Sequence, residues 1–469
     1  MIAGQNVADQ ADFGRGIRAL YLPYRGIQTH SAITDERMAT VLTATFREKH
    51  SELADFLTQH VHLTRRHFLR YGMSGAAGIC ALPLFAQVDG QDPILQESLA
   101  NLETWLTRQD DFGDVSRGDP IPHTLDESQR KKVGLTRDTW KLEVDADPEN
   151  KTRLRNSLTK KDNTAFSFKD LMKLADRHVV RFPKLMTCLN IGCPLGNGIW
   201  EGVPLREVLW LTQPTQDLRR VFYYGYHNDD PRQMFRSSLP IGRVLEDWYG
   251  LPPVILCYKL NGQWLTPKRG APVRIVVPEA YGFKSIKWLS RVVLSNRWRA
   301  NDTYGEKNND VDSPLKTFCD MISVPETVKP GQPIPVTGYA QIGISGLKKV
   351  QIWVHNEDDE LPDNDKYFAQ APWCDTQILA PPVHWGGDLL DNRIPNPTAG
   401  FDRKTGRPKT WPIRLTKAHW ATLLPGLVAG TYVLRCRTID ENGIAQPMPR
   451  PFRKSGRASI GQVRLTVKS

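Results

Sequence analysis

Apolar and polar positions change their rhythm along the chain, and each rhythm predicts an element. Trp140-Lys-Leu-Glu-Val144 alternates strictly, the pattern of a half-buried strand. Residues 166–176, Phe-Ser-Phe-Lys-Asp-Leu-Met-Lys-Leu-Ala-Asp, space their apolar side chains as a helix does, with Ser167 placed to cap it. A helix is also expected over Leu95–Thr107, inside a polar stretch, 87–135, that reads as surface wrapping. Leu185–Leu189 reads as a strand leading into Cys188, and Gly192, Pro194, Gly196 and Gly198 predict a loop behind it. Pro204–Leu211 is an amphipathic helix, Arg220–Tyr226 an aromatic-rich strand and Leu239–Asp247 a second helix. Val254–Leu260 and Val273–Val277 are rich in β-branched residues and read as strands, with Asn261-Gly262 as a hairpin-type turn. A short strand, Trp288–Leu294, follows.

The texture changes near residue 325. Pro325, Pro330, Gly331, Pro333 and Pro335 mark a linker, and beyond it short strands dominate: Ile334–Ala340, Val350–His355, Thr431–Asp440 and Gly461–Val467. A polar insertion over about 356–410 interrupts them. Short alternating strands with turn signals read as an immunoglobulin-like sandwich. The expected class is therefore α+β: a mixed α/β domain at 91–324, then an all-β domain at 325–469. The 469 residues suit two or three units of ordinary size.

A third region precedes both. Thr64-Arg-Arg-His-Phe-Leu-Arg70, followed by a weakly apolar run rich in Gly and Ala, has the twin-arginine export pattern. Residues 1–90 are expected to be a leader and the mature protein periplasmic. Such signals normally lie near the start, so Met38 competes with Met1 as initiator. Twin-arginine export carries folded chains, which suits a protein that receives a complex cofactor before leaving the cytoplasm.

Composition narrows the function. Charged residues make up 24% and hydrophobic ones 40%, the balance of a globular protein with a large core. The net charge of +11 is spread without a dense basic block, which argues against nucleic acid and fits anionic substrates or an acidic redox partner. Seven cysteines are scattered too widely for a disulfide framework. Cys188 and Cys193 alone are close, and no second pair completes a four-ligand zinc site.

The chemistry concentrates in two strings. Residues 185–209 read Leu-Met-Thr-Cys-Leu-Asn-Ile-Gly-Cys-Pro-Leu-Gly-Asn-Gly-Ile-Trp-Glu-Gly-Val-Pro-Leu-Arg-Glu-Val-Leu, and residues 272–289 read Pro-Val-Arg-Ile-Val-Val-Pro-Glu-Ala-Tyr-Gly-Phe-Lys-Ser-Ile-Lys-Trp-Leu. Together with Tyr258-Lys-Leu-Asn-Gly262 they resemble the sulfite oxidase family of molybdopterin-dependent oxidoreductases, including its sulfite dehydrogenase and methionine-sulfoxide-reductase members. The resemblance covers roughly 115–469.

It implies one molybdenum–molybdopterin cofactor per chain, with Cys188 as the thiolate ligand to the metal. A soft thiolate suits that metal. Cys193 reads as a small buried hydrophobe in a loop. The resemblance implies cofactor contacts from Arg117, His227, Arg269, Arg274, Ser285, Ile286 and Lys287, with Ser285 and Ile286 acting through main-chain groups. Arg117, Tyr304 and Arg453 match positions around the substrate. It further implies a homodimer through the second domain, a small anionic or sulfur-containing substrate, and a separate electron carrier such as a cytochrome c or membrane haem protein. No haem-binding Cys-x-x-Cys-His occurs in this chain.

One departure bears on the reaction. The family usually follows its cysteine with Ala-Gly-Asn-Arg-Arg, whereas Cys188 is followed by Leu-Asn-Ile-Gly-Cys, so an anion-binding arginine is missing. Sulfite oxidation is the first expectation. Reduction of a sulfoxide on the same fold is the second, and a cofactor-free binding or scaffold protein the third.

Overall fold

The computed structural model describes residues 92–469 apart from 151, 190–191, 229, 231–233, 301, 303–313, 362, 366, 448–455 and 457–458. The expected leader with its twin-arginine segment, Tyr304 and Arg453 lie outside the described residues.

Among the described residues, the first half is built on twelve strands. They are β1 (Lys141–Ala146), β2 (Arg153–Leu154), β3 (Phe166–Ser167), β4 (Val180–Thr187), β5 (Pro194–Pro204) and β6 (Pro214–Gln216). Then come β7 (Arg220–Gly225), β8 (Phe235–Pro240), β9 (Ile255–Leu260), β10 (Gln263–Trp264), β11 (Arg274–Val276) and β12 (Leu289–Ser295). One sheet runs β3-β1-β12-β7-β8, a second runs β10-β9-β5-β4 with β11 paired to β9, and β2 and β6 form a short ribbon. The helices are α1 (Pro93–Ala100), α2 (Glu127–Lys132), α3 (Phe168–His178), α4 (Leu205–Leu211) and α5 (Ile241–Leu245).

Strand β9 shows why the second sheet lies inside. Leu256 and Tyr258 enter the large apolar cluster shared with β1, β7 and β12, while Ile255 and Cys257 enter a second cluster with Phe182, Met186 and Trp200. A strand buried on both faces reads as a continuous apolar run. Helix α3 begins where the sequence predicts: Ser167 accepts from the Asp170 N–H, and the Asp170 side chain answers on the Ser167 N–H.

The second half contributes β13 (Phe318–Ser323), β14 (Thr327–Val328), β15 (Ile334–Gln341), β16 (Lys349–Asn356), β17 (Cys374–Asp375), β18 (Gln377–Ile378), β19 (Lys417–Leu424), β20 (Gly430–Ile439) and β21 (Gly461–Val467). They form two sheets, β13-β15-β19-β18 and β14-β21-β20-β16-β17. Val336, Trp420, Val350, Leu434 and Leu465 of these strands share one apolar core. Strand β13 precedes the expected linker at 325 and pairs with β15 nonetheless.

Several expectations need correction. The segment 192–198 is mostly strand, because its glycines serve close packing: a Cβ at Gly196 would strike the Phe112 ring and one at Gly198 would strike Leu260. The first helix stops at Ala100, since the following chain turns inward and buries Trp105 and Leu106 against Trp385, Phe401 and Ile413. Residues 87–135 are therefore not simply a surface wrap. The helix expected at 239–247 is the end of β8 followed by the short α5, as Ser237, Ser238 and Leu239 are held in the sheet opposite β7.

Candidate functional site

One recess collects residues from distant parts of the chain. Strand β4 carries Met186 to its end and leaves Cys188 just beyond it, half-buried. Strand β5 contributes Trp200, and the segment between β7 and β8 contributes His227. The turn after β10 supplies Arg269 and the start of β11 supplies Arg274. Ser285, Ile286, Lys287 and Trp288 line the wall ahead of β12, and Phe112, Gly113, Val115, Ser116 and Arg117 add to the lining. The cavity measures about 240 Å³.

All eight described residues expected to hold the cofactor or substrate line this recess: Arg117, Cys188, His227, Arg269, Arg274, Ser285, Ile286 and Lys287. The sequence did not point to Phe112, Trp200, Phe235, Phe283 or Ser116 there, nor to Asp114, which bonds Lys287 from behind the lining. The aromatic residues form walls, which a local string does not announce. Arg274 lies over the Trp200 ring at 5.1 Å, Arg269 over Phe112 at 5.7 Å and Arg117 over Phe235 at 5.5 Å.

Its electrostatics are lopsided. Lys287 donates to Asp114 at 2.9 Å and to Ser116 at 2.7 Å. Burial works to raise the Asp114 carboxyl, but hydrogen bonds from Ser116 and Lys287 outweigh it and hold it well below the usual carboxylate range. Burial, then the Arg274 charge, pushes the Lys287 ammonium down to about 7 despite Asp114. Burial pushes the Arg274 guanidinium down to about 10 and lowers Arg269 and Arg117 as well. For Arg117 the neighbouring Cys188 pulls the other way. Burial also lowers His227, whose Nδ1 lies 3.3 Å from the Gly225 carbonyl and whose ring stacks on Phe235.

The arginines are held by backbone. Arg274 donates to the Arg269 carbonyl at 3.0 Å and the Ser285 carbonyl at 2.5 Å, and Arg269 to the Gly113 carbonyl at 3.2 Å. Arg269 Nε and Nη2 and Arg274 Nε are buried with no hydrogen-bond acceptor among the described residues. Orphaned guanidinium N–H groups are costly unless an acceptor fills the recess. A ligand with a phosphate and many hydrogen-bonding edges fits that donor set. Among the described residues no cluster of three His, Cys, Asp or Glu side chains could hold a metal, so the recess offers a single soft ligand, Cys188. A metal that arrives with most of its ligands on a cofactor fits such a site.

Comparison with known proteins agrees with this chemistry. The family model for the oxidoreductase molybdopterin binding domain matches residues 131–303. The mitochondrial sulfite oxidase of Drosophila melanogaster is 28% identical over 237 residues, covering 42% of this chain and 40% of that protein. The sulfite oxidase of Gallus gallus is 32% identical over 164 residues, covering 31% and 35%. The NADH nitrate reductase of Volvox carteri is 32% identical over 109 residues, covering 22% and 12%. The chain thus spans two-fifths or less of the length of these curated relatives. Among solved structures, the sulfane dehydrogenase SoxCD from Paracoccus pantotrophus aligns over 71% of this chain and 79% of that one, at 15% identity and a TM-score of 0.45. Residues 131–303 thus form an oxidoreductase molybdopterin-binding domain, and over part of its length this chain is similar to the sulfite oxidases and nitrate reductases.

Proposed function

We propose that this protein is a molybdenum-cofactor oxidoreductase of the sulfite dehydrogenase type, transferring an oxygen atom and passing electrons to a separate carrier. The observation that carries the reading is the gathering of Arg117, Arg269, Arg274 and Lys287 around Cys188 in one recess, with guanidinium donors left without protein acceptors. The cofactor, when bound, supplies two-electron redox chemistry coupled to oxygen-atom transfer.

The residues divide that work. Cys188 would give the metal its thiolate. Arg269, Arg274 and Lys287 would neutralise the cofactor's phosphate and meet its polar edges, with Ser285 and Ile286 contributing main-chain groups. His227 is lowered by burial, so a neutral imidazole is available as a hydrogen-bonding contact. Arg117, within electrostatic reach of Cys188, would draw an anionic substrate to the metal side of the recess. Tyr304 and Arg453 are the further candidates for orienting it. A cytochrome c or membrane haem protein would take the electrons. The twin-arginine segment assigns the mature protein to the periplasm, and the C-terminal sheets would serve as an immunoglobulin-like dimerisation domain.

A second reading, sulfoxide reduction, is favoured by one feature. Met186, Leu189 and Phe283 give the wall near Cys188 an apolar character, and Leu189 begins the string that lacks the expected arginine. Such a wall suits a thioether-bearing substrate.

Metal and pterin analysis of purified full-length protein tests the reading. Wild type should hold one molybdenum per chain. Cys188→Ser should lower turnover by at least about 100-fold, more than loss of a residue supporting a metal ligand usually costs. Protein without molybdenum, or a Cys188→Ser variant of wild-type activity, would overturn it. Sulfite with oxidised cytochrome c, against a sulfoxide with a reduced dye, separates the two reactions.

A further inference from the structure

Strand β4 ends with Thr187 paired to Pro194 of β5. Beyond that pair the Cys188 N–H donates to the Cys193 carbonyl at 3.3 Å, and the Gly192 N–H donates to the Cys188 carbonyl at 2.9 Å. Gly192 sits in the left-handed region at φ 67°. These two bonds, with a left-handed glycine at the bulge position, continue the β4–β5 pairing by one step and set Cys188 and Cys193 opposite each other. Opposed residues of an antiparallel pair have Cα atoms about 4.5–5.5 Å apart, within the roughly 4.4–6.8 Å that a disulfide spans. Only four residues separate the two, so the chain entropy of joining them is small.

Cys193 does not behave as the packed hydrophobe its sequence suggests. It is half-buried and enters none of the apolar clusters among the described residues. Cys257, Cys319 and Cys436 are buried in such clusters instead. Cys188 lines the recess, whereas Cys193 stands on the paired strand side opposite it.

We propose that Cys188 and Cys193 form a reversible dithiol–disulfide site that reacts with a disulfide reagent of the glutathione type before the cofactor is bound. One thiolate attacks the reagent's disulfide and releases a thiol. The second thiolate then attacks the mixed disulfide and releases the other. The pair loses two protons and two electrons, and the reagent is reduced to two thiols. Oxidation ties up the Cys188 sulfur, so the oxidised chain cannot offer a thiolate to a metal. This last step rests on the reading of Cys188 as the metal ligand, while the disulfide itself does not.

The full chain, produced without molybdate, is treated with oxidised glutathione, alkylated, digested and mapped by mass spectrometry. The expected product is one peptide with Cys188 linked to Cys193, about 2 Da lighter than its dithiol form and reversed by dithiothreitol. In Cys193→Ser that product is lost and Cys188 reacts alone. Cofactor loading of the oxidised wild type should fall at least about tenfold below that of the reduced protein, and dithiothreitol should restore it. A wild-type map in which Cys188 stays alkylated, keeps a glutathione or pairs elsewhere overturns the proposal. A disulfide that forms normally but leaves molybdenum loading unchanged upholds the site and overturns Cys188 as ligand.

Discussion

The ion pairs inside the sheets and the cations of the recess are buried to a similar depth, yet they are neutralised differently. Arg243 donates to both oxygens of Glu279, at 2.7 and 2.9 Å, and again to the Pro252 carbonyl. Lys284 meets Asp302, which also accepts from Ser237 and Ser238. Arg181 meets Glu201, and the buried Lys417 meets Glu103, whose side chain is largely exposed. In each pair a carboxylate answers the cation. In the recess, Arg269 and Arg274 donate to backbone carbonyls, and Asp114 is already engaged with Lys287 and Ser116. An ion buried without a counter-ion costs several kcal/mol. The contrast identifies the recess as the place where a ligand brings the missing negative charge.

Two substitutions with the same chemistry would break that comparison if their effects matched. Arg243→Met leaves the Glu279 carboxylate buried beside an apolar side chain, and should destabilise the fold by about 3–5 kcal/mol in denaturant unfolding. Arg274→Met removes a cation that has no carboxylate partner. The cofactor-free protein should unfold at the same denaturant concentration as wild type or a higher one. Cofactor affinity should fall about 10–100-fold, the equivalent of one charge-assisted hydrogen-bonding group. Equal destabilisation of both variants would mean that the Arg274 charge is satisfied within the protein.

Much of the recess was legible in the sequence because the family strings carry it. The eight described residues expected there come together from segments as distant as Arg117 and Lys287. Strands with clear alternation, such as β1, and the capped helix α3 fell where their patterns place them. Glycine was the misleading signal. Gly196 and Gly198 read as turn residues, but they serve the approach of Phe112 and Leu260 to a buried strand, a tertiary fact that no local window contains. Trp105 and Leu106 were hidden the same way, since their burial depends on Trp385 and Phe401, nearly three hundred positions along the chain. The carboxylates that pair Arg243 and Lys284 lie 36 and 18 positions further on, outside any local pattern, so the absence of one beside Arg274 could only be seen in three dimensions.

Lys184 stands on the border between the two regions and gives the finest test. It is fully buried on β4, and its Nζ donates to the Ala280 carbonyl at 2.7 Å and the Leu185 carbonyl at 3.3 Å. Burial lowers its ammonium most; Glu279 on the paired side pulls it up and Arg274 on the recess side pushes it down, leaving it at about 7. An unfolded lysine titrates near 10.4. Between about pH 7 and 10 the unfolded chain therefore binds more protons at this site, and stability rises with pH. Below about 7 both states are protonated and the cost of burying the charge is complete. In Lys184→Met this pH dependence disappears. Urea unfolding at pH 7, 8 and 9 should show wild type gaining on the variant by on the order of 1 kcal/mol per pH unit. Parallel curves would mean that Glu279 holds Lys184 charged throughout, and would move the border so that Lys184 belongs with the paired cations and the unneutralised charge begins at Arg274.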